Sequence, residues 1–288
     1  MRPVVVLLLA SLTPASLTLC PSTAFAAELL WEVKGMQQPE SVVQDPATDL
    51  IYVSNIAGAI MQKDGNGFIA KLQPDGTVVD RNWVKGLNAP TGLALHDRTL
   101  YVADVDELVE INAASGEIVE RHEAEGAIFL NDVAVDQDGT VYVSDTPMNA
   151  IWRLKDGVFE PWLTNDDLNG PNGLIVQDGK LIVASFGKLP EQGEPEPGDL
   201  FSIDLKDQSV SKLGDGIGNL DGLQALKPGI YLVTDWGAGG LYRVAPKGKA
   251  ERLIKLNKGS ADFIYFPERN TVLVPIMLSN ALVAYALD

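Results

Sequence analysis

The sequence predicts an all-β fold, a six-bladed β-propeller whose last blade is completed by the N-terminal strand. A phrase made of a turn, a polar residue, an apolar run and a β-rich run close to Leu-Tyr-Val-Ser-Asp recurs six times. It occupies Glu40 to Asn55, Thr91 to Asp104, Asn131 to Asp145, Asn172 to Ser185, Asp221 to Asp235 and Asp262 to Pro275. Its starts lie roughly 40 to 50 residues apart, the period of a four-stranded propeller blade. Segments such as Thr140-Val-Tyr-Val-Ser144 and Ile230-Tyr-Leu-Val-Thr234 are strand-length and rich in β-formers, without the 3.6 spacing that a helical repeat requires.

From the N-terminus, residues 1–26 read as a signal peptide. Arg2 is followed by an apolar run, Val4 to Ala10, too short to span a bilayer, and Ala24-Phe25-Ala26 is the small-x-small pattern of a cleavage site before Ala27. The mature chain, 27–288, is expected to be periplasmic or secreted, with no membrane association after cleavage. Glu28 to Val33 has no partner of its own, and blade six supplies only three strands, Phe263 to Phe266, Thr271 to Leu278 and Ala281 to Leu287. The N-terminal segment is therefore expected as the outer strand of blade six. Blade three displays the full unit, with Asp132 to Val135 innermost, then Thr140 to Asp145, Ala150 to Lys155 and, outermost, Gly157 to Leu163. Pro-Asp-Gly at 74–76, Gln-Asp-Gly at 137–139 and Lys-Asp-Gly at 155–157 supply tight turns. Six such units close a ring without a long free sheet edge.

Composition narrows the function. The 288 residues carry 22 Lys+Arg against 39 Asp+Glu, a formal charge of −17, which excludes a phosphate-backbone partner and disfavours an anionic membrane surface. The single cysteine, Cys20, leaves with the signal peptide, so disulfides, thiolate metal sites and CxxC chemistry are excluded. Two histidines, His96 and His122, are too few for a three-histidine zinc site. A small-molecule substrate and a monomer are expected.

In an up-and-down blade the inner strand starts on the face where the second strand ends. The six phrase starts, Glu40, Thr91, Asn131, Asn172, Asp221 and Asp262, are thus expected around one mouth of the central channel, each with a side-chain oxygen. Carboxylates converging there repel one another unless a cation intervenes. Ca2+ suits a mixed carboxylate and amide set, with Glu40 and Asp221 supplying charge and Asn131 and Asn172 neutral oxygens, whereas Asn is a poor Zn2+ ligand. The second-strand ends Asn55, Asp104, Asp145 and Asp235 form an outer polar ring, read as turn caps, with Asn55 and Asp145 also candidates for substrate contact. Insertions at Ile56 to Phe68 in blade one and Phe186 to Asp199 in blade four face each other across this mouth and suggest a lid or rim.

Pro-Glu at 39–40, Asn131-Asp132, Pro-Asn-Gly at 171–173 and Asp-Gly at 221–222 together resemble the SMP-30/gluconolactonase family of six-bladed propellers, over essentially the whole mature chain. The resemblance implies a divalent metal, usually Ca2+ or Zn2+, held by Glu40, Asn172 and Asp221, with Asn131 a ligand or a water-positioning residue. It implies hydrolysis of a lactone or related ester, with Asp221 the first candidate to accept a proton and Asp262 the second. Two positions depart from the family pattern. Phe129 stands where sugar-lactonase members have an arginine, and Thr91 stands where paraoxonase-like members have a histidine, so Thr91 and Phe129 are expected to contact a substrate less hydroxylated than a sugar lactone. The alternatives are phosphoester hydrolysis on the same site and a non-enzymatic, NHL-like binding propeller with a structural calcium.

Overall fold

The computed structural model describes residues 27–188, 196–245 and 250–287, apart from the side chain of Asp215. The expected signal peptide and residues 189–195 of the blade-four insertion lie outside the described residues. The described chain forms six four-stranded antiparallel sheets arranged as a ring. Blade one is β2 (Pro39–Gln44), β3 (Ile51–Asn55), β4 (Gly67–Leu72) and β5 (Val78–Leu87). Blade two is β6 (Pro90–His96), β7 (Thr99–Asp104), β8 (Glu107–Asn112) and β9 (Ile118–Glu123). Blade three is β10 (Leu130–Val135), β11 (Val141–Asp145), β12 (Ala150–Lys155) and β13 (Val158–Thr164). Blade four is β14 (Pro171–Gln177), β15 (Lys180–Ser185), β16 (Gly198–Asp204) and β17 (Val210–Gly218). Blade five is β18 (Leu220–Lys227), β19 (Ile230–Asp235), β20 (Gly240–Val244) and β21 (Glu251–Lys255).

Blade six joins β22 (Ile264–Phe266), β23 (Thr271–Ile276) and β24 (Ala281–Ala286) to β1 (Glu28–Lys34), in the order β1-β24-β23-β22. The N-terminal strand is the outer strand of the last blade, as the unpartnered segment predicts. Its inward side chains Trp31 and Val33 pack on Leu273, Leu282 and Ala284 of blade six and on Val53, Ala70 and Leu72 of blade one. Strand β23 is shorter than the sequence suggests, because Met277–Ser279 turns into a 3-10 segment that ends at Asn280 in the left-handed region.

The strand sequences follow from their place in the ring. Second strands such as Ile51–Asn55 and Val141–Asp145 are buried along their whole length and read as apolar runs, while outer strands such as β9 and β13 are mostly solvated. Each junction between neighbouring blades holds its own hydrophobic cluster, so the core is six cores around an axis. At the junction of blades one and two, Tyr52 stacks on Trp83 at 4.6 Å and donates its hydroxyl to the Ala113 carbonyl at 2.8 Å.

The inner strands share a defect that positions the site. Pairing of Pro39 with Asn55, Pro90 with Asp104, Leu130 with Asp145, Pro171 with Ser185 and Leu220 with Asp235 is followed in every case by a β-bulge over the next two residues. The bulge takes those two residues off the ladder with the second strand. The equivalent pair in blade six is the isolated bridge Ser260 to Ile276. The mouth ring is therefore Glu40, Thr91, Asn131, Asn172, Asp221 and Ala261, and the expectation that Asp262 completes it is corrected. Asp262 is one residue further along, level with Ser41 and Asp132, because the bridge at Ser260 fixes the register of the last blade.

Candidate metal centre and active-site cavity

Four of the six ring residues are polar, buried and unsatisfied. Glu40, Asn131, Asn172 and Asp221 are between 2 and 7% exposed, and Glu40 Oε2, Asn131 Oδ1, Asn172 Oδ1 and Asp221 Oδ1 each lack a hydrogen-bond partner. A buried acceptor without a partner costs about 1–3 kcal/mol. Four together, two on carboxylates and two on amides, form an oxygen-only donor set of the kind that suits a hard divalent cation. Burial is the leading cause that holds the Glu40 carboxyl well above its ordinary range, with Asp221, Asp262 and Asp132 adding repulsion. Asp221 is pushed up by burial and then by Asp262. Both groups thus need either a proton or a cation.

The orientation of Asn131 is fixed from behind. The Thr146 hydroxyl donates its one proton to the Pro171 carbonyl at 2.8 Å, so it can only accept from Asn131 Nδ2, at 3.2 Å. Asn131 Oδ1 is thereby left for the centre. Nothing in the sequence phrase singles out Thr146; it directly follows the strand end Asp145, and only the ring brings it under Asn131.

One layer deeper lies a second tier, Ser41, Asp132 and Asp262, alternating with glycines. Asp132 accepts from Val133 N at 2.7 Å and Leu174 N at 2.6 Å. Asp262 accepts from Ser41 Oγ at 2.6 Å and Phe263 N at 2.9 Å, and the Ser41 oxygen in turn accepts from Leu93 N at 3.1 Å. Three of these bonds, Ser41 to Asp262, Leu93 to Ser41 and Leu174 to Asp132, cross from blade to blade. A Cβ at Gly222 would stand 2.8 Å from Asp262 Cα, and one at Gly92 2.5 Å from Asp132 Cα, so these two positions need glycine for close approach. Burial raises the Asp262 carboxyl to about 7, against the opposing hydrogen bonds from Ser41 and Phe263. Asp262 and Asp132 border a separate small cavity of about 100 Å³ together with Gln224.

The four orphaned oxygens belong to residues that line a larger cavity of about 330 Å³. Its other walls are Ile56, Ile60 and Met61 from the blade-one insertion, Phe129 and Pro147 from blade three, and Phe186, Trp236 and Met277. Phe186 and Trp236 lie 6.1 Å apart, and Lys63 ties the blade-one insertion to Asp106 of blade two at 2.6 Å.

Among solved structures, the chain superposes on a gluconolactonase from Xanthomonas campestris with a TM-score of 0.64 at 16% identity, over 90% of this chain and 89% of that one. A second structure, provisionally described as a gluconolactonase, gives 0.68 at 18% identity over 93% of both chains. Virginiamycin B lyase from Staphylococcus aureus gives 0.58 at 12% identity, over 91% of this chain and 100% of that one. The shared property is the fold. No family model and no curated protein matches the chain in sequence.

Of the other residues the sequence singles out, Thr91 and Phe129 line the cavity, with the Thr91 hydroxyl bonded to the carbonyls of Leu130 at 3.1 Å and Ala103 at 3.3 Å. Asn55 and Asp145 are fully buried away from it. Asn55 Oδ1 accepts from Gln37 N, and Asp145 accepts from Ile128 N and Phe129 N. Asp104 and Asp235 cap turns in the same way. A second group of ligand-type side chains, Glu110, Glu120 and His122, lies on β8 and β9. His122 Nε2 is 2.9 Å from Glu110 Oε1, and its Nδ1 is 4.0 Å from Glu120. The His122 side chain is 8% exposed rather than a surface group, and neither it nor His96 lines the cavity.

Proposed function

We propose that the protein is a metal-dependent hydrolase of a lactone or related ester. The observation that carries this reading is the set of four unsatisfied buried oxygens on residues of one cavity. Glu40, Asn131, Asn172 and Asp221 would hold the cation, with Ca2+ favoured by the all-oxygen donor set. A divalent cation there supplies Lewis-acid polarisation of a carbonyl and stabilises developing negative charge. The chain's own residues do the rest. Thr146 orients Asn131, and the apolar walls hold the acyl group and exclude bulk water. Asp221, one of the two carboxylates lining the cavity, accepts a proton from the attacking water. Water oxygen bonds to the carbonyl carbon, the C–O bond to the ring oxygen breaks, and the proton passes to that oxygen, giving a hydroxy acid. Asp262, with both carboxylate oxygens already bonded to Ser41 and Phe263, is left a supporting role under the ring.

The lyase structures include one of a catalytically inactive histidine-to-alanine variant with quinupristin, and no histidine is among the residues lining the cavity here. That favours hydrolysis over a lyase reaction. A non-enzymatic binding propeller with a structural calcium is the second reading, favoured by one observation: among the described lining residues the only titratable groups are the two carboxylates assigned to the cation. A panel of lactones, esters and phosphoesters assayed on the chain, with chelation and calcium add-back, separates the readings. Lactone turnover lost to the chelator and regained with calcium is expected, together with loss in Asp221→Asn. Calcium binding with no turnover of any ester would leave the binding propeller.

A further inference from the structure

We infer that the substrate carries a hydrocarbon group, an alkyl chain or an aromatic ring, and no hydroxyl, phosphate or ammonium group beyond the bond that is cleaved. This rests on the hydrolase reading above. The first observation is the chemistry of the walls. Ile60, Met61, Phe129, Phe186, Trp236 and Met277 surround the space beside the four oxygens, and Lys, Arg, His, Ser, Gln and Tyr are absent from the described lining. The only two hydroxyls there, of Thr91 and Thr146, are bonded to main-chain carbonyls of Leu130 and Pro171. A substrate hydroxyl brought against these walls loses its water and, the Trp236 indole N–H apart, meets only hydrocarbon and thioether, a penalty of about tenfold in affinity for each group left unpaired. Each methylene buried there gains about fourfold.

The second observation is outside the cavity. Ile60, Met61, Ile128, Met148 and Leu278 are large apolar residues between 39 and 53% exposed, and they are half of all such residues in the described chain. Each lines the cavity or is adjacent in sequence to a residue that does. The other five, Leu29, Leu30, Val79, Val119 and Val158, lie on the outer strands of the blades. An exposed apolar collar at one mouth marks a functional surface, and here it extends the cavity outwards. The cavity itself, at about 330 Å³, is of a size that takes a lactone ring with a short side chain. A longer chain would continue across Ile60 and Met61.

The test compares γ-lactones bearing ethyl, butyl and hexyl groups with a six-carbon polyhydroxylated lactone, on the full chain with calcium. In parallel, cyclopentanones with the same alkyl groups, which have no bond to hydrolyse, are titrated by calorimetry. The expected result is kcat/KM rising about fourfold per methylene, at least about hundredfold slower turnover of the polyhydroxylated lactone, and the same chain-length order in cyclopentanone Kd. Met61→Asn, on an exposed loop where folding is not at stake, should flatten the chain-length dependence. Equal or faster turnover of the polyhydroxylated lactone, or binding that ignores chain length, overturns the inference and leaves the hydrolase reading standing. Cyclopentanone binding in the expected order with no lactone turnover does the reverse.

Discussion

At Asn131 a single threonine decides which end of an amide faces the candidate metal centre, and its one proton makes that testable. Thr146→Val removes both the bond to Pro171 and the acceptor for Asn131 Nδ2. Calcium affinity, measured by titration calorimetry, should fall about tenfold or more, the usual cost of losing a group that orients a ligand. Unchanged affinity would mean that the amide is held by something else. Asp104 offers a test unconnected with the centre. Its carboxyl is raised to about 6, first by burial, in spite of amide bonds from Asn88 and Ala89. A group whose folded pKa lies above its unfolded value contributes stability that is complete below about pH 4 and is lost as pH rises through about 6. Asp104→Asn keeps an acceptor for the two amides and removes the ionisation. In urea unfolding it should lose less stability than the parent between pH 4.5 and 7.5, by on the order of 2 kcal/mol; parallel pH profiles would contradict the assignment.

Among the elements, β1 and the six inner strands carry the most information. Deleting residues 27–34 strips blade six of its outer strand and uncovers the junction packed by Trp31 and Val33. The expected loss is at least about 3 kcal/mol, or roughly 10 °C in Tm; an unaltered melting curve would show that the ends are not fastened through β1. That closure was legible in the sequence because blade six is one strand short and Glu28 to Val33 has nothing else to pair with. The five ring residues of blades one to five were legible for a related reason: each follows a residue paired to the end of a β-rich run, so the phrase and the register coincide. In blade six they part. The phrase offers a polar residue, Asp262, where its neighbours have Glu, Asn or Asp, but the register there is set by one backbone bridge between Ser260 and Ile276. A pattern of residue types cannot report a single bridge. Nor does it expose Trp236, Met277 and Thr146, which reach the cavity from second-strand ends and the turns after them and share no motif.

Over the whole molecule, the acidity has a structured part. Glu40, Asp132, Asp221 and Asp262 stack along the axis in two tiers, all raised in pKa with burial as the first cause. Without a cation these groups favour folding most while protonated, and their contribution falls as pH rises above the ordinary carboxylate range. Calcium, if held by Glu40 and Asp221 as proposed, would reverse the trend, since only the ionised carboxylates bind it. Chelated protein should therefore lose thermal stability from pH 5 to pH 8, while protein with calcium at about a hundred times Kd should gain about 2.7 kcal/mol at the higher pH. A calcium shift in Tm as large at pH 5 as at pH 8 would contradict this linkage. The joint between β1 and β24 adds a constraint of a different kind, one of time. Glu28 pairs with Ala286, so the two partners stand close to opposite ends of the described chain. The ring cannot close until β24 has been made and is free to pair with β1. Contacts of such long sequence separation fold slowly. Until β24 is available, β1 has none of its ladder partners, and the apolar faces of Trp31 and Val33 lack the junction that covers them.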